Sequence, residues 1–282
     1  MKKTLLISGI KGFLAKRLVA LLKEDYTIIG IGKNNEIVDG IKVFESSKIE
    51  QLQCNIDFVI ICHAAVASGT TSPSTKLLYE VNVEVTKRIV DTFSNSKIIY
   101  ISSASIYDIN TKLIEEESPI NPMSEYAISK LWGEQIVLKS KNAVVFRLSS
   151  MFGIGMKENT IIPNYVNQAL KNRVIEVWGK GERKQNYILV SDACLYIKQV
   201  LQNFDVIKGE VLLAVHPIAY SNLELAQIIA KETNSEVVHC NDDDSKSLLY
   251  NNEVTCKLVN WSPQSNFKEE IHKYIQWKKE QF

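Results

Sequence analysis

The stretch TLLISGIKGFLA, residues 4–15, decides how the rest of the chain is read. Its first half is a short continuous run of apolar residues, the pattern of a strand buried on both faces. Its second half opens a helical pattern over 12–24, carried by Phe13, Leu14, Leu18, Leu21 and Leu22. Gly9, Gly12 and Ala15 stand at the junction. A first glycine allows the tight strand-to-helix turn, a second lets backbone N–H groups approach a pyrophosphate, and a small third residue lets helix and strand pack closely. The positive helix end then faces the anion. Gly9, Lys11, Gly12, Phe13 and Leu14 are therefore candidate cofactor-binding residues.

Working outward, apolar runs recur at YTIIGI (26–31), KVF (42–44), DFVIIC (57–62), KIIYIS (97–102) and AVVFRL (143–148). Helical patterns over 75–94 and 124–139 lie between the later ones. Strands alternating with helices imply βαβ units and a parallel sheet with right-handed crossovers. Residues 1–150 thus read as a doubly wound α/β dinucleotide-binding domain. Beyond 150 the alternation weakens. Helix-like segments at 160–172, 190–203, 221–233 and 266–280 are joined by polar loops, with one late strand near 211–216. Residues 151–282 read as a smaller mixed α/β lobe that binds substrate and returns that strand to the sheet.

A chain of 282 residues suffices for one large domain or two coupled lobes. With 23% charged residues and a net charge of +1, nothing favours nucleic acid or an acidic membrane as main partner. Five cysteines, odd in number and without a C-x-x-C, read as reduced thiols of a cytoplasmic protein. After the two leading lysines the apolar run is too short for a signal peptide, and none approaches the roughly 20 residues that span a bilayer. Four scattered histidines have no metal-ligand spacing, so no metal is expected.

The end of the second strand reports cofactor type. An acid there accepts hydrogen bonds from the ribose 2′-hydroxyl of NAD and repels a 2′-phosphate. Here the sequence reads IIGIGKNN, with Gly32 and Lys33 where the acid would stand. With Lys11 as a second cation, charge complementarity favours NADP(H). Glu36, three residues on, keeps NAD(H) open. Further along, SEYAISKLWGEQ (124–135) sets Tyr126 and Lys130 four apart on one helical face. Tyr274 and Lys278 share that spacing, so position in the chain, not the count, singles out the first pair.

In this order the motifs resemble the extended short-chain dehydrogenase/reductase superfamily, the nucleotide-sugar epimerases, dehydratases and ketoreductases. The resemblance runs through GIKGFLA, DFVIICHAA, Asn82 in EVNVEVTKRIVD, YISSASIYD, NPMSEYAISKLWGEQIV, FRLSSMFGIG, GKGERKQNYILVSDA and GEVLLAVHPIAYSNLELAQIIAK. It implies a Rossmann domain, with Ser103, Tyr126 and Lys130 as catalytic triad. Ala64 and Ala65 join the cofactor residues, and Lys130 also holds the nicotinamide ribose. Reduction of a ketone needs a proton for the oxygen; a nearby ammonium and a cationic nicotinamide should lower the phenol's pKa from about 10. Ser103 would donate to the sugar oxygen. Ser105, Ser150 and Arg183 are the substrate-binding candidates.

The departures are specific. Dehydratases of this superfamily carry an acidic pair directly after the catalytic hydroxyl, where this chain has Ala104 and Ser105. The usual asparagine of R-x-x-N is Ser150, and the arginine that commonly binds the nucleotide diphosphate is Gln185. Glu45 and Ser46 replace the pair that usually lines adenine. The implied function is NADP(H)-dependent reduction of a nucleotide-linked 4-keto-6-deoxy sugar for a surface polysaccharide. The alternatives are an NAD-dependent nucleotide-sugar 4-epimerase and a non-catalytic cofactor sensor. Relatives commonly dimerise through the helices expected at 75–94 and 124–139.

Overall fold

The computed structural model describes residues 2–66 and 72–281. The first part of the chain builds β1 (Lys3–Ser8), α1 (Phe13–Leu22), β2 (Tyr26–Gly32), β3 (Glu36–Val38), β4 (Ile41–Glu45) and β5 (Phe58–Ile61). One helix then runs over 75–92. It contains α2 (Thr75–Leu78), a π-helical stretch Tyr79–Glu84, and α3 (Val85–Thr92). β6 (Lys97–Ser103), α4 (Glu125–Val137) and β7 (Ala143–Leu148) follow. These strands and the later β11 (Val211–Ala214) form an eight-stranded sheet in the order β11-β7-β6-β5-β1-β2-β4-β3. Every neighbouring pair is parallel except β3 with β4.

The continuous apolarity of the strands has the expected cause. All of FVII in β5 and all of AVVFRL in β7 are buried. One face packs on α1 and on α6 (Val190–Gln202), joining Leu14, Leu18, Leu22, Ile197 and Val200 to Leu5, Ile7 and Phe146. The other face packs on α3 and α4, joining Ile89, Val90 and Val137 to Leu6, Val59 and Tyr100. Chain order reverses between β1 and β5, so a crevice opens beyond their carboxyl ends, where such sheets bind ligands.

The later residues hold more strand than the periodicity predicts. Besides α5 (Ile161–Asn172), α6, α7 (Phe204–Ile207), α8 (Asn222–Thr233), α9 (Glu253–Val259) and α10 (Phe267–Lys279), they form five further strands. β8 (Ser150–Phe152), β10 (Lys184–Leu189) and β12 (Ala219–Ser221) make one small sheet, and β9 (Val174–Trp178) pairs with β13 (Glu236–Cys240). Two of these strands have three residues, too few for a period to register. β9 alternates, burying Ile175 and Val177 while Glu176 and Trp178 face out. A second core gathers Phe152, Tyr165, Tyr187, Phe267 and Tyr274. Tyr274, the partner of Lys278 in the second i,i+4 pair, is thus a packing residue at 0% exposure. Among the described residues no helix is long and apolar enough to cross a membrane.

Candidate active site

Gly9 leaves β1 with φ +69°, a left-handed conformation that glycine adopts freely. A Cβ there would sit 2.8 Å from the His63 Cα, so the loop after β5 is pressed against it. Gly12 caps α1 with extended backbone, its N–H donating to the Gly9 carbonyl at 2.7 Å. The result is a side-chain-free cradle at a helix amino end, which fits a dinucleotide pyrophosphate. It belongs to a cleft of about 430 Å³ lined by Gly9, Lys11, Gly12, Lys33, Ser46, Cys62, His63 and Ala64. Phe13 is half-buried and the Leu14 side chain is core, so Leu14 offers the site only its backbone.

Glu36 lines the same cleft and its Oε2 meets the Lys11 Nζ at 2.5 Å. The two cations expected there are therefore unequal, because Lys11 is neutralised by an acid from β3. His63 is locked between strand and helix, Nδ1 2.7 Å from Ser8 Oγ and Nε2 3.3 Å from Thr86 Oγ1. Burial, and then the positive charge of Lys130, hold its pKa down at about 3. It is a neutral spacer, not an acid or base.

Asn82 lies in the π-helical stretch, a feature often found at functional sites. Fully buried, its amide accepts from Ala65 N at 2.7 Å and donates to Ala65 O at 3.0 Å and Ser129 Oγ at 2.8 Å. Ser129 in turn donates to the Tyr126 carbonyl at 2.7 Å. One side chain thus ties the Ala64–Ala65 loop to the first turn of α4. That helix begins at Ser124, whose hydroxyl caps Ala127 N.

Ser103 ends β6, and its hydroxyl lies 2.8 Å from that of Ser105 and within hydrogen-bonding reach of the Tyr126 phenol. Ala104 is 4% exposed, so the position after Ser103 belongs to the core. Lys130 is 2% exposed, with its Nζ 4.2 Å from the centroid of the Tyr100 ring. Gly133 makes room for that tyrosine, since a Cβ there would fall 2.1 Å from its hydroxyl. The structure therefore brings Ser103, Ser105, Tyr126 and Lys130 to one end of β6 and α4.

The lowering expected of the Tyr126 pKa is that of the protein with a cationic nicotinamide bound; in the protein alone the shift runs the other way. Burial raises it, and the Ser103 hydroxyl offsets only part of the rise. Lys130 is the group that moves down, to about 7, because burial outweighs the attraction of Glu134 and of Cys62. A lysine near its own titration point carries only part of a charge with which to stabilise a phenolate. Glu134, one turn on, is 0% exposed and accepts from Arg147 Nε at 3.1 Å and Nη2 at 2.9 Å. Arg147 also donates to the Glu116 carbonyl at 3.3 Å and stacks on Tyr107. Tyr107 is buried and bonded to that carbonyl, so it packs instead of facing the cleft.

The substrate candidates are not gathered to the same degree. Ser150 is exposed at the start of β8. Arg183 lines two clefts of the later residues, with Gly179 and Asp243 in one and Tyr165, Trp178 and Asn222 in the other. Neither shares a residue with the cleft of the glycine loop. Gln185 spends its amide on the Tyr187 hydroxyl. Glu36, Asn82 with Ser129, and Glu134 with Arg147 were not among the site residues read from sequence. Glu36 and Asn82 had a signal there, the one as an acid near the end of β2 and the other within a motif, and Glu134 is an acid four residues after Lys130.

The sequence pattern of the NAD-dependent epimerase/dehydratase family matches residues 5–214. The chain belongs to that family. This member is accordingly an NAD(P)-dependent enzyme of oxidoreductase type. It is 26% identical to the human dTDP-D-glucose 4,6-dehydratase, over 99% of this chain and 91% of that one. It is 26% identical to the GDP-6-deoxy-D-talose 4-dehydrogenase of Aggregatibacter actinomycetemcomitans, over 80% and 79%. Among solved structures, MoeE5 in complex with UDP-glucuronic acid and NAD superposes with a TM-score of 0.86 at 18% identity, over 99% and 100%. The UDP-glucuronic acid 4-epimerase of Bacillus cereus does so with 0.85 at 17%, over 98% and 99%. At those identities the structures speak for the fold of this family member, and the chemistry rests on its own residues.

Proposed function

We propose that this family member reduces the keto carbon of a nucleotide-linked 4-keto-6-deoxy sugar, in making a sugar for a surface polysaccharide, with Tyr126 as proton donor. A nicotinamide dinucleotide in the glycine-loop cleft would supply the hydride. The observation that carries the reading is the Ser103, Tyr126 and Lys130 cluster with Ala104 and Ser105 beside it. Removal of water from a sugar needs an acid for the departing hydroxyl and a base for the ring proton. Neither Ala104 nor Ser105 is one.

The protonation states support reduction. A phenol whose pKa is raised keeps its proton at neutral pH, the state required of a donor. Ser103 can bond the sugar oxygen as charge develops on it. Lys130, near its titration point, can return a proton to the phenolate that Tyr126 becomes. Arg183 is the cation we assign to the nucleotide diphosphate in place of Gln185, with Ser105 and Ser150 on the sugar side. The choice of NADP(H), argued from Lys11 and Lys33, is weakened by the Lys11–Glu36 pair. That pair favours a second reading, a 4-epimerase that retains NAD through both half-reactions.

The four exposed apolar side chains Leu77, Tyr79, Ile128 and Trp132 lie on 75–92 and α4, with the Tyr79 and Trp132 rings 5.4 Å apart. We assign them to a homodimer face. The test of function is consumption of reduced cofactor with 4-keto-6-deoxy sugar nucleotides, in wild type and Tyr126→Phe. We expect net oxidation of cofactor, lost by several orders of magnitude in the variant while cofactor affinity holds. Interconversion of two sugar isomers with no net cofactor turnover would replace reductase by epimerase.

A further inference from the structure

The end of β2, where an acid would stand, is crowded by a neighbouring side chain. A Cβ on Gly32 would lie 3.0 Å from Val43 Cγ1, and one on Gly30 3.0 Å from Val43 Cγ2. Val43 stands on β4, in register with Gly30 of β2 on one side and Glu36 of β3 on the other. Glu36 can therefore reach past Val43 towards the glycines. Its Oε1 lies 4.0 Å from the place a Gly32 Cβ would occupy, close to where the carboxylate of an acid at 32 would be. Lys11 holds the other oxygen at 2.5 Å, and both side chains line the cleft.

We infer that Glu36, delivered from the β3–β4 hairpin, selects the ribose of the dinucleotide and restricts the cleft to NAD(H). This rests on the reading of the cleft as the dinucleotide site and revises the preference for NADP(H) drawn from sequence. A carboxylate there accepts hydrogen bonds from a free 2′-hydroxyl. A 2′-phosphate would meet that carboxylate as a like charge and would have to separate it from Lys11 before using the lysine. Lys11 thus fixes the acid and is withheld from phosphate by the same contact. Lys33, also on the cleft wall, is the cation available without breaking a pair that we have described.

The test is equilibrium binding, read by fluorescence titration of NADH and NADPH against wild type, Glu36→Gln and Lys11→Gln. Wild type should bind NADH at least about tenfold more tightly, the weight of one charge-assisted hydrogen bond. Glu36→Gln should bring the two affinities to within about threefold, weakening NADH and freeing Lys11 for the 2′-phosphate. Lys11→Gln should keep the preference for NADH. A wild type that prefers NADPH, or a folded Glu36→Gln with an unchanged ratio, overturns the assignment of Glu36. Failure of wild type to bind either nucleotide overturns the dinucleotide reading itself and the assignment with it.

Discussion

Replacing Lys130 with methionine should abolish turnover and, in the cofactor-free protein, raise stability. The amine is 2% exposed, and burial carries its pKa from the ordinary 10.5 to about 7 against the opposing pull of Glu134 and Cys62. Each unit of displacement is worth about 1.4 kcal/mol. Below pH 7 both folded and unfolded chains carry the proton, and the cost of burying the charge is felt in full. Above pH 7 the folded amine loses its proton while the unfolded one keeps it. Stability therefore climbs by roughly 1.4 kcal/mol per pH unit until the unfolded lysine titrates near pH 10.5. The cost is on the order of 4 kcal/mol at pH 7 and about 2 kcal/mol at pH 9. Methionine keeps an unbranched stem against the Tyr100 ring, carries no charge and restores no proton. Urea unfolding of both proteins between pH 6 and 9, at constant m, measures the gap. A Lys130→Met protein no more stable than wild type at pH 7, or a gap that does not narrow with pH, would refute the argument.

Three further outcomes follow from contacts already described. Glu134→Gln leaves Arg147 buried beside a neutral amide and should cost about 3–5 kcal/mol; Glu134→Leu with Arg147→Met should recover most of that, read as urea midpoints. Asn82→Ala leaves both polar atoms of Ala65 and the Ser129 hydroxyl short of a partner. It should cost about 2–3 kcal/mol and lower kcat more than it raises KM, because Ser129 holds the Tyr126 carbonyl. Trp132→Glu puts a charge on the exposed aromatic pair of 75–92 and α4, and sedimentation should report a dimer converted to a monomer.

The first half of the fold was legible because strands buried on both faces are written as unbroken apolar runs, and β5 and β7 are buried at every position. The glycine cradle and the Ser103, Tyr126 and Lys130 cluster were legible for a different reason. Their spacing follows from where β1, β6 and α4 end, and those ends were readable. The strands β8, β9, β10, β12 and β13 were not: β8 and β12 are only three residues long, β9 and β13 are five-residue strands of a two-stranded sheet, and β10 opens on the polar residues Lys184, Gln185 and Asn186. The direction of the Tyr126 shift in the protein without cofactor has a tertiary cause. It depends on how deeply the phenol is buried, which no i,i+4 spacing records.

Glu36 marks the sharpest divide, because the acid near the end of β2 was legible while the hairpin that places it went unread. Between Val38 and Ile41 the chain has Asp39 and Gly40, and both adopt positive φ, 49° and 79°. Asp-Gly between two β-forming pairs is the two-residue hairpin turn whose twist suits adjacent antiparallel strands. Once that turn is granted, Glu36 must pair opposite Val43, as it does. The residue then no longer lies three positions beyond the site in a loop. It lies across one strand from Gly30, on the side from which a longer side chain can reach the ribose end of the cleft. Linear distance from β2 made the lysines look like the dominant charges, whereas the hairpin makes the acid their counterweight. The cofactor question thus turns on whether four residues, VDGI, are read as a loop or as a turn.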